Sequence, residues 1–302
     1  MLDRGILDVL HLHAEGLFVD DGSHLWHLRV ERGAMAPRAR FTVGTSRERL
    51  YEKACNPRIV RAMTVTGATP PHVPRSALAD TVLARLTPAY ADAGDPGRAV
   101  AMRGYMKDVA PFLGIPTPAR RALSRTVLAG TPRPDEADCT AIALRCWALS
   151  EREYHYFAVD YLRRHAARCG SGFLPVTRYL VTTVPWCDTV DLLAAHVVGT
   201  LVAADPKLTA DMDAWITDGD LWAVRTALLH QLAWKERTDA ERLFGYCLLQ
   251  SGHPDFFVRK AIGWALREYA KTDPGAVRQF LARERGRFAP LSVREALKNI
   301  GA

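Results

Sequence analysis

Three short strings, VRTALL from Val224, VRKAIG from Val258 and VREALK from Val293, recur at offsets of 34 and 35 residues. A period of that length is too short for a strand-helix-strand alternation and suits a helix pair with two turns, so it selects an α-solenoid of HEAT type. The chain after Ser76 agrees. SALADTVLARLTPAYADAG opens on a serine at a capping position, and Leu78, Val82, Leu83 and Leu86 fall near one helical face. The expectation is an all-α repeat domain over residues 75–302.

Thirty-four residues before Arg225 stands Asp191, with VDLLAA overlying VRTALL. Equivalent positions in stacked repeats form a line, so Asp191, Arg225, Arg259 and Arg294 are expected to share a face. One acid in a row of bases is a peculiar choice for a surface that only attracts phosphate. Its local context, PWCDTVDLL, admits two readings. Asp188 can be an N-cap with Asp191 at the third helical position, where a carboxylate meets unpaired N–H groups for about 0.3–1 kcal/mol. Asp191 can instead present an acid to a substrate.

Residues 1–74 read as an N-terminal extension. GLFVDDGSHLWHLRVERG (16–33) has a D-G turn signal with Trp26, Leu28 and Val30 alternating, as in a β-hairpin. Residues 29–61 hold nine Arg or Lys against three acids, and the Pro-rich TGATPPHVPRS places a boundary near residue 74.

With 302 residues, 48% of them hydrophobic, the chain can bury a substantial core. The apolar runs read as shorter than the ~18 residues of a membrane span, and MLDRGILDVLHLH lacks a secretory pattern, so a cytoplasmic protein is expected. Six cysteines without a C-x-x-C pair read as reduced thiols, and HLHAEG at 11–16 is too isolated for a metal site, so neither metal nor cofactor is expected. Glycine-rich phosphate loops and G-x-S-x-G are missing, which removes the commonest nucleotide and serine-hydrolase classes. The net charge of +7 favours a polyanionic partner without excluding a merely soluble protein.

RGYMKDVAPFLGIPTPARRAL (103–123), PWCDTVDLL, MDAWITDGDLWAVRTALLHQLAWKERTD and FFVRKAIGWALREYAKTDP together resemble the AlkD family of DNA alkylation repair glycosylases, over roughly residues 76–302. The resemblance implies a concave basic superhelix that holds duplex DNA. It also implies excision of cationic N3- or N7-alkylated purines without metal and without classical base flipping. Carried over by position, the catalytic aspartate matches Asp191, the nucleotide-packing tryptophan Trp264, the groove arginines Arg225 and Arg267, and the tyrosine of the YMK stretch Tyr105. Where the family pattern reads Trp-Trp-Asp, this chain has Trp186-Cys187-Asp188, so Cys187 replaces a cleft aromatic.

On residue pattern alone, Arg225 serves scaffold or DNA equally well, and the resemblance favours DNA. Lys260, Trp264 and Arg267 fall at i, i+4 and i+7 on one face, suiting stacking beside phosphate neutralisation. Gly263 permits close backbone approach, either to DNA or to a packed helix. Tyr105 and Lys107 are core or backbone contacts, and Lys235 and Arg237 are solvated helix ends or phosphate contacts. Trp147, Trp186, Trp215, Trp222 and Trp234 are expected in the packing. The implied protein is a monomer that acts on alkylated duplex DNA at the nucleoid and does not span a membrane. It releases the base without a Schiff-base lysine. The rival is a HEAT-repeat module that binds damaged DNA without catalysis.

Overall fold

The computed structural model describes residues 69–298; the hairpin expected at 16–33, the basic stretch at 29–61 and Cys55 lie outside them. The described residues are all-helical. Residues 69–76 carry no regular element, and α1 (Ala77–Asp92) starts where the serine indicated: Ser76 Oγ accepts from Ala79 N at 2.8 Å. Leu78, Val82, Leu83 and Leu86 are all buried. There follow α2 (Pro96–Tyr105), α3 (Thr117–Val127), α4 (Glu136–Trp147), α5 (Arg152–His165), α6 (Leu174–Thr182), α7 (Cys187–Leu193) and α8 (Gly199–Ala204). The second half holds α9 (Thr209–Trp215), α10 (Leu221–Leu229), α11 (Ala240–Leu249), α12 (Phe256–Tyr269), α13 (Pro274–Glu284) and α14 (Pro290–Ala296).

The repeat is visible in the helix starts. Helices α3, α5, α7, α10, α12 and α14 begin at 117, 152, 187, 221, 256 and 290, spaced 35, 35, 34, 35 and 34 residues apart. Within this row α5 packs on α7, α7 on α10, α10 on α12, and α12 on α14, while α4, α6, α9, α11 and α13 pack beside it. Contacts between near neighbours along the chain are consistent with a helical-repeat solenoid. Close approach is built into the row at two glycines. A Cβ on Gly199 would stand 2.2 Å from His230 O, and one on Gly263 2.4 Å from Glu295 Cβ and 2.7 Å from Ser292 O. Gly263 therefore serves helix packing rather than approach to DNA.

A π-helical segment, Ala194–Val198, joins α7 to α8 and makes Cys187–Ala204 one helix. Its 18 residues are long and apolar enough to cross a membrane by length and composition, which corrects the reading that the apolar runs are too short. Because 72% of it is buried inside the protein, it stands where a core helix stands. Trp186, Trp222 and Phe257 meet beneath α7, α10 and α12 with ring centroids 5.1 to 6.1 Å apart. Aromatic burial of this kind typically contributes several kcal/mol per ring, about 3–5 kcal/mol on truncation. Trp147 and Trp215 are buried as expected, and Trp234 donates from Nε1 to Gly199 O at 3.0 Å.

Candidate acid-centred site

An acid caps two of the row helices, α10 and α12, but not α7. Asp220 caps α10 by accepting from Trp222 N and Ala223 N, and Asp255 caps α12 by accepting from Phe257 N. The equivalent position before α7 is Trp186, which makes no side-chain cap bond. The acids of PWCDTVDLL consequently lie inside the helix and face its neighbours. This corrects the capping reading of Asp188.

Asp188 is instead the centre of a buried network. Its carboxylate accepts from Arg152 Nη2 at 2.5 Å, from Arg152 Nε at 3.2 Å and from Tyr156 Oη at 2.6 Å. Arg152 also donates to Thr189 Oγ1 at 2.9 Å and to Val184 O at 2.8 Å. Val184 has φ 47°, a left-handed conformation that a β-branched residue before proline adopts only under constraint, at a typical cost of ~1–3 kcal/mol. The Arg152 bond to its carbonyl is one such constraint, so the same guanidinium fixes the bend into α7 and the acid on its first turn.

Asp191 lies on the next turn and is 3% exposed. Arg225 grips it bidentately, with Nε to Oδ1 at 2.6 Å and Nη2 to Oδ2 at 2.8 Å, while Nη1 donates to Phe257 O. The 34-residue offset thus brings two equivalent positions into direct contact. Burial pushes the Asp191 carboxyl above its ordinary value, the Arg225 guanidinium opposes that shift, and Asp188 adds a smaller upward push. Arg225 itself is 3% exposed, so the expectation that it faces the groove as a phosphate contact is overturned. Its charge is directed to the acid. The line of like positions also breaks further on: Arg259 turns its Nε to His253 O at 2.7 Å, and Arg294 is exposed on α14.

Trp264 is half-buried at the edge of the core on α12, between Lys260 and Arg267 as the helical spacing requires. Both cations reach Glu295 on α14, Lys260 Nζ at 3.7 Å and Arg267 Nη1 at 3.5 Å, and Arg225 is among the charges that depress Lys260. Two ion-paired groups thus occupy separate interfaces of the row, Asp191 with Arg225 between α7 and α10, and Lys260 and Arg267 with Glu295 between α12 and α14, with Trp264 on α12 between the two cations. Tyr105 ends α2 with half its surface exposed; burial and, to a lesser degree, Cys187 raise its phenol, and Cys187 itself is buried at the start of α7. Lys107 follows on an exposed turn with φ 58°. Lys235 is exposed at φ 53° and lines a cleft with Glu268, Tyr269 and Lys271 at the C-terminal ends of α10 and α12, apart from Asp191.

Sequence reasoning missed Arg152, Tyr156, Glu295 and Lys298. A search for opposite charges near the repeat offset finds two of these four, since Arg152 and Asp188 are 36 apart and Lys260 and Glu295 are 35 apart; Tyr156 and Lys298 escape it. Among the described residues, Cys139, Cys146, Cys169, Cys187 and Cys247 are free thiols, and no group of three His, Cys, Asp or Glu side chains is placed to hold a metal ion.

An arginine-held carboxylate between stacked repeats, with a tryptophan flanked by cations nearby, defines a helical-repeat protein built around a buried acid. The model of the DNA alkylation repair enzyme family matches residues 87–300, and the chain belongs to that family. Among solved structures, a predicted DNA alkylation repair enzyme from Enterococcus faecalis is 30% identical with a TM-score of 0.63, covering 68% of this chain and 96% of its own. No curated protein matches. Membership supports a role in DNA repair.

Proposed function

We propose that the protein is a monofunctional DNA glycosylase that hydrolyses the N-glycosidic bond of cationic N3- or N7-alkylated purines in duplex DNA. The observation that carries this reading is the Asp191 carboxylate, desolvated and held in one orientation by both arms of Arg225. Alkylation at N3 or N7 makes the purine a cation, so the base leaves without being protonated and no general acid is needed. The sugar then develops oxocarbenium character. A fixed negative charge in a low-dielectric setting stabilises that cation more strongly than one in water. Arg225 engages each Asp191 oxygen once, and each carboxylate oxygen has a further lone pair with which to orient or deprotonate the attacking water.

In this reading Trp264 stacks on the deoxyribose, while Lys260, Arg267, Tyr105, Lys107 and Lys235 contact the DNA backbone. Arg225 positions Asp191, and Cys187 takes the place of the family's cleft aromatic. Incubation with duplex DNA carrying N7-methylguanine should give released base with the wild type. Asp191→Asn should slow release by about 10²- to 10⁴-fold. Equal release by the two proteins would remove Asp191 from the mechanism.

The low exposure of Asp191 and its full pairing with Arg225 favour one alternative, a damaged-DNA-binding module in which the pair is structural. Salt-dependent duplex binding with no base release from any alkylated substrate is the outcome that selects it.

A further inference from the structure

One carboxylate collects three cations at the α12–α14 interface. Glu295 is 2% exposed and its stem is pressed against Gly263, the residue before Trp264. Around it stand Lys298 Nζ at 2.8 Å, Arg267 Nη1 at 3.5 Å and Lys260 Nζ at 3.7 Å. The acid is 3% exposed at its side chain, whereas Lys298, Arg267 and Lys260 retain 15%, 13% and 24%. Three positive charges thus surround one buried negative charge, and the excess is carried by groups that still reach the surface. Paired to the same anion, long cationic side chains lose rotamer freedom before any ligand arrives, which lowers the ordering cost of binding.

We infer that Glu295 is the positioning residue of a phosphodiester site made by Lys260, Arg267 and Lys298. This rests on the duplex-DNA substrate proposed above and adds to it two residues, Glu295 and Lys298. Lys260 and Arg267 flank Trp264, so anchoring them on Glu295 also fixes where the strand lies relative to the indole. Burial and the surrounding cations lower the Lys260 ammonium, and a phosphate anion relieves that crowding.

The positioning role and a simple charge role predict opposite results. Glu295→Gln removes a negative charge, so charge counting alone predicts tighter duplex binding. Positioning predicts weaker binding, by about 3- to 10-fold near physiological salt, together with a higher KM for base release and little change in kcat. Lys298→Met, on a partly exposed side chain, should weaken binding to undamaged duplex and flatten the log Kd against log salt plot by about one unit, whereas Lys298→Arg should restore both. Fluorescence anisotropy with undamaged duplex reads these effects, and thermal melts check folding. If Glu295→Gln fails to fold, the Lys298 pair decides alone.

Tighter binding by a folded Glu295→Gln, or a Lys298→Met protein indistinguishable from wild type, overturns the inference. Titration with inorganic phosphate separates the sources. Saturable phosphate binding that Lys298→Met abolishes, with duplex binding intact, assigns the site to a free anion and overturns the DNA contact. Wild-type protein that binds duplex through these residues but releases no alkylated base leaves this inference standing and sinks the glycosylase reading.

Discussion

Replacing Arg225 with methionine keeps most of the buried stem and removes both bonds to Asp191 and the bond to Phe257 O. The Asp191 carboxylate is then a buried charge without its partner, which typically destabilises by about 3–5 kcal/mol. At roughly 2–4 °C per kcal/mol for a domain of this size, the melting temperature should fall by about 6–20 °C at pH 8. The sign of the pH dependence follows from the carboxyl, which burial already raises and which rises further once the opposing guanidinium is gone. A group whose folded pKa lies above its unfolded value favours the fold at low pH and loses that contribution as pH rises. The difference between wild type and Arg225→Met should therefore shrink from pH 8 to pH 5, where the carboxyl can take up a proton. Adding Asp191→Asn to Arg225→Met should recover stability at pH 8, since a neutral amide needs no counter-charge. Paired thermal melts at the two pH values measure all of this. A difference that is constant with pH, together with a double variant no more stable than Arg225→Met, would show that the pair is not an ion pair energetically.

Other consequences follow from groups described above and from buried histidines. His155 and His230 are pushed down to about 3 and about 4, chiefly by burial, so both are neutral in the fold and protonated when unfolded below their ordinary value. Stability should hold above pH ~6.5 and fall by about 2 kcal/mol per histidine on acidification to pH 5. His230→Gln should shed its share of that slope, and an unchanged slope in denaturant titrations contradicts the assignment. Gly263→Ala should destabilise by about 1–3 kcal/mol, because its new methyl meets a Cβ and a backbone carbonyl rather than a side-chain tip. A raised denaturation midpoint would show that α12 and α14 are less tightly apposed. Cys187→Trp should lower the ratio of bulky to methyl adduct excision, and an unchanged ratio in product assays rules Cys187 out as a determinant of adduct size.

The period of VRTALL, VRKAIG and VREALK was enough to place the helix row, because repeat spacing is a property of the chain and survives folding unchanged. The Ser76 cap and the buried face of α1 were legible for the same reason, as local geometry. What the chain does not display is where a charged side chain ends. Arg225 sits at a position equal to Arg259 and Arg294, yet it turns to Asp191, Arg259 turns to a carbonyl, and Arg294 meets solvent. Asp188 failed as a cap because its partners, Arg152 and Tyr156, come from a neighbouring repeat. The 35-residue spacing pairs Glu295 with Lys260 alone, and the convergence of three cations on it forms only when α12 and α14 close over Gly263.

The order of charges along the row also says which helix can sit beside which. Base precedes acid in Arg120–Asp160 and Arg152–Asp188, acid precedes base in Asp191–Arg225, and base precedes acid again in Lys260–Glu295. A stack that skipped α7 and laid α10 on α5 would lose both acids and bury the Arg152 and Arg225 guanidiniums in one gap. Like charges confined there make that register costly in a way that apolar repeats of near-identical shape cannot. The inversion at α7 therefore acts as an address: it labels one repeat as unique within an array whose members otherwise look interchangeable, and it does so with the same acid proposed for the chemistry.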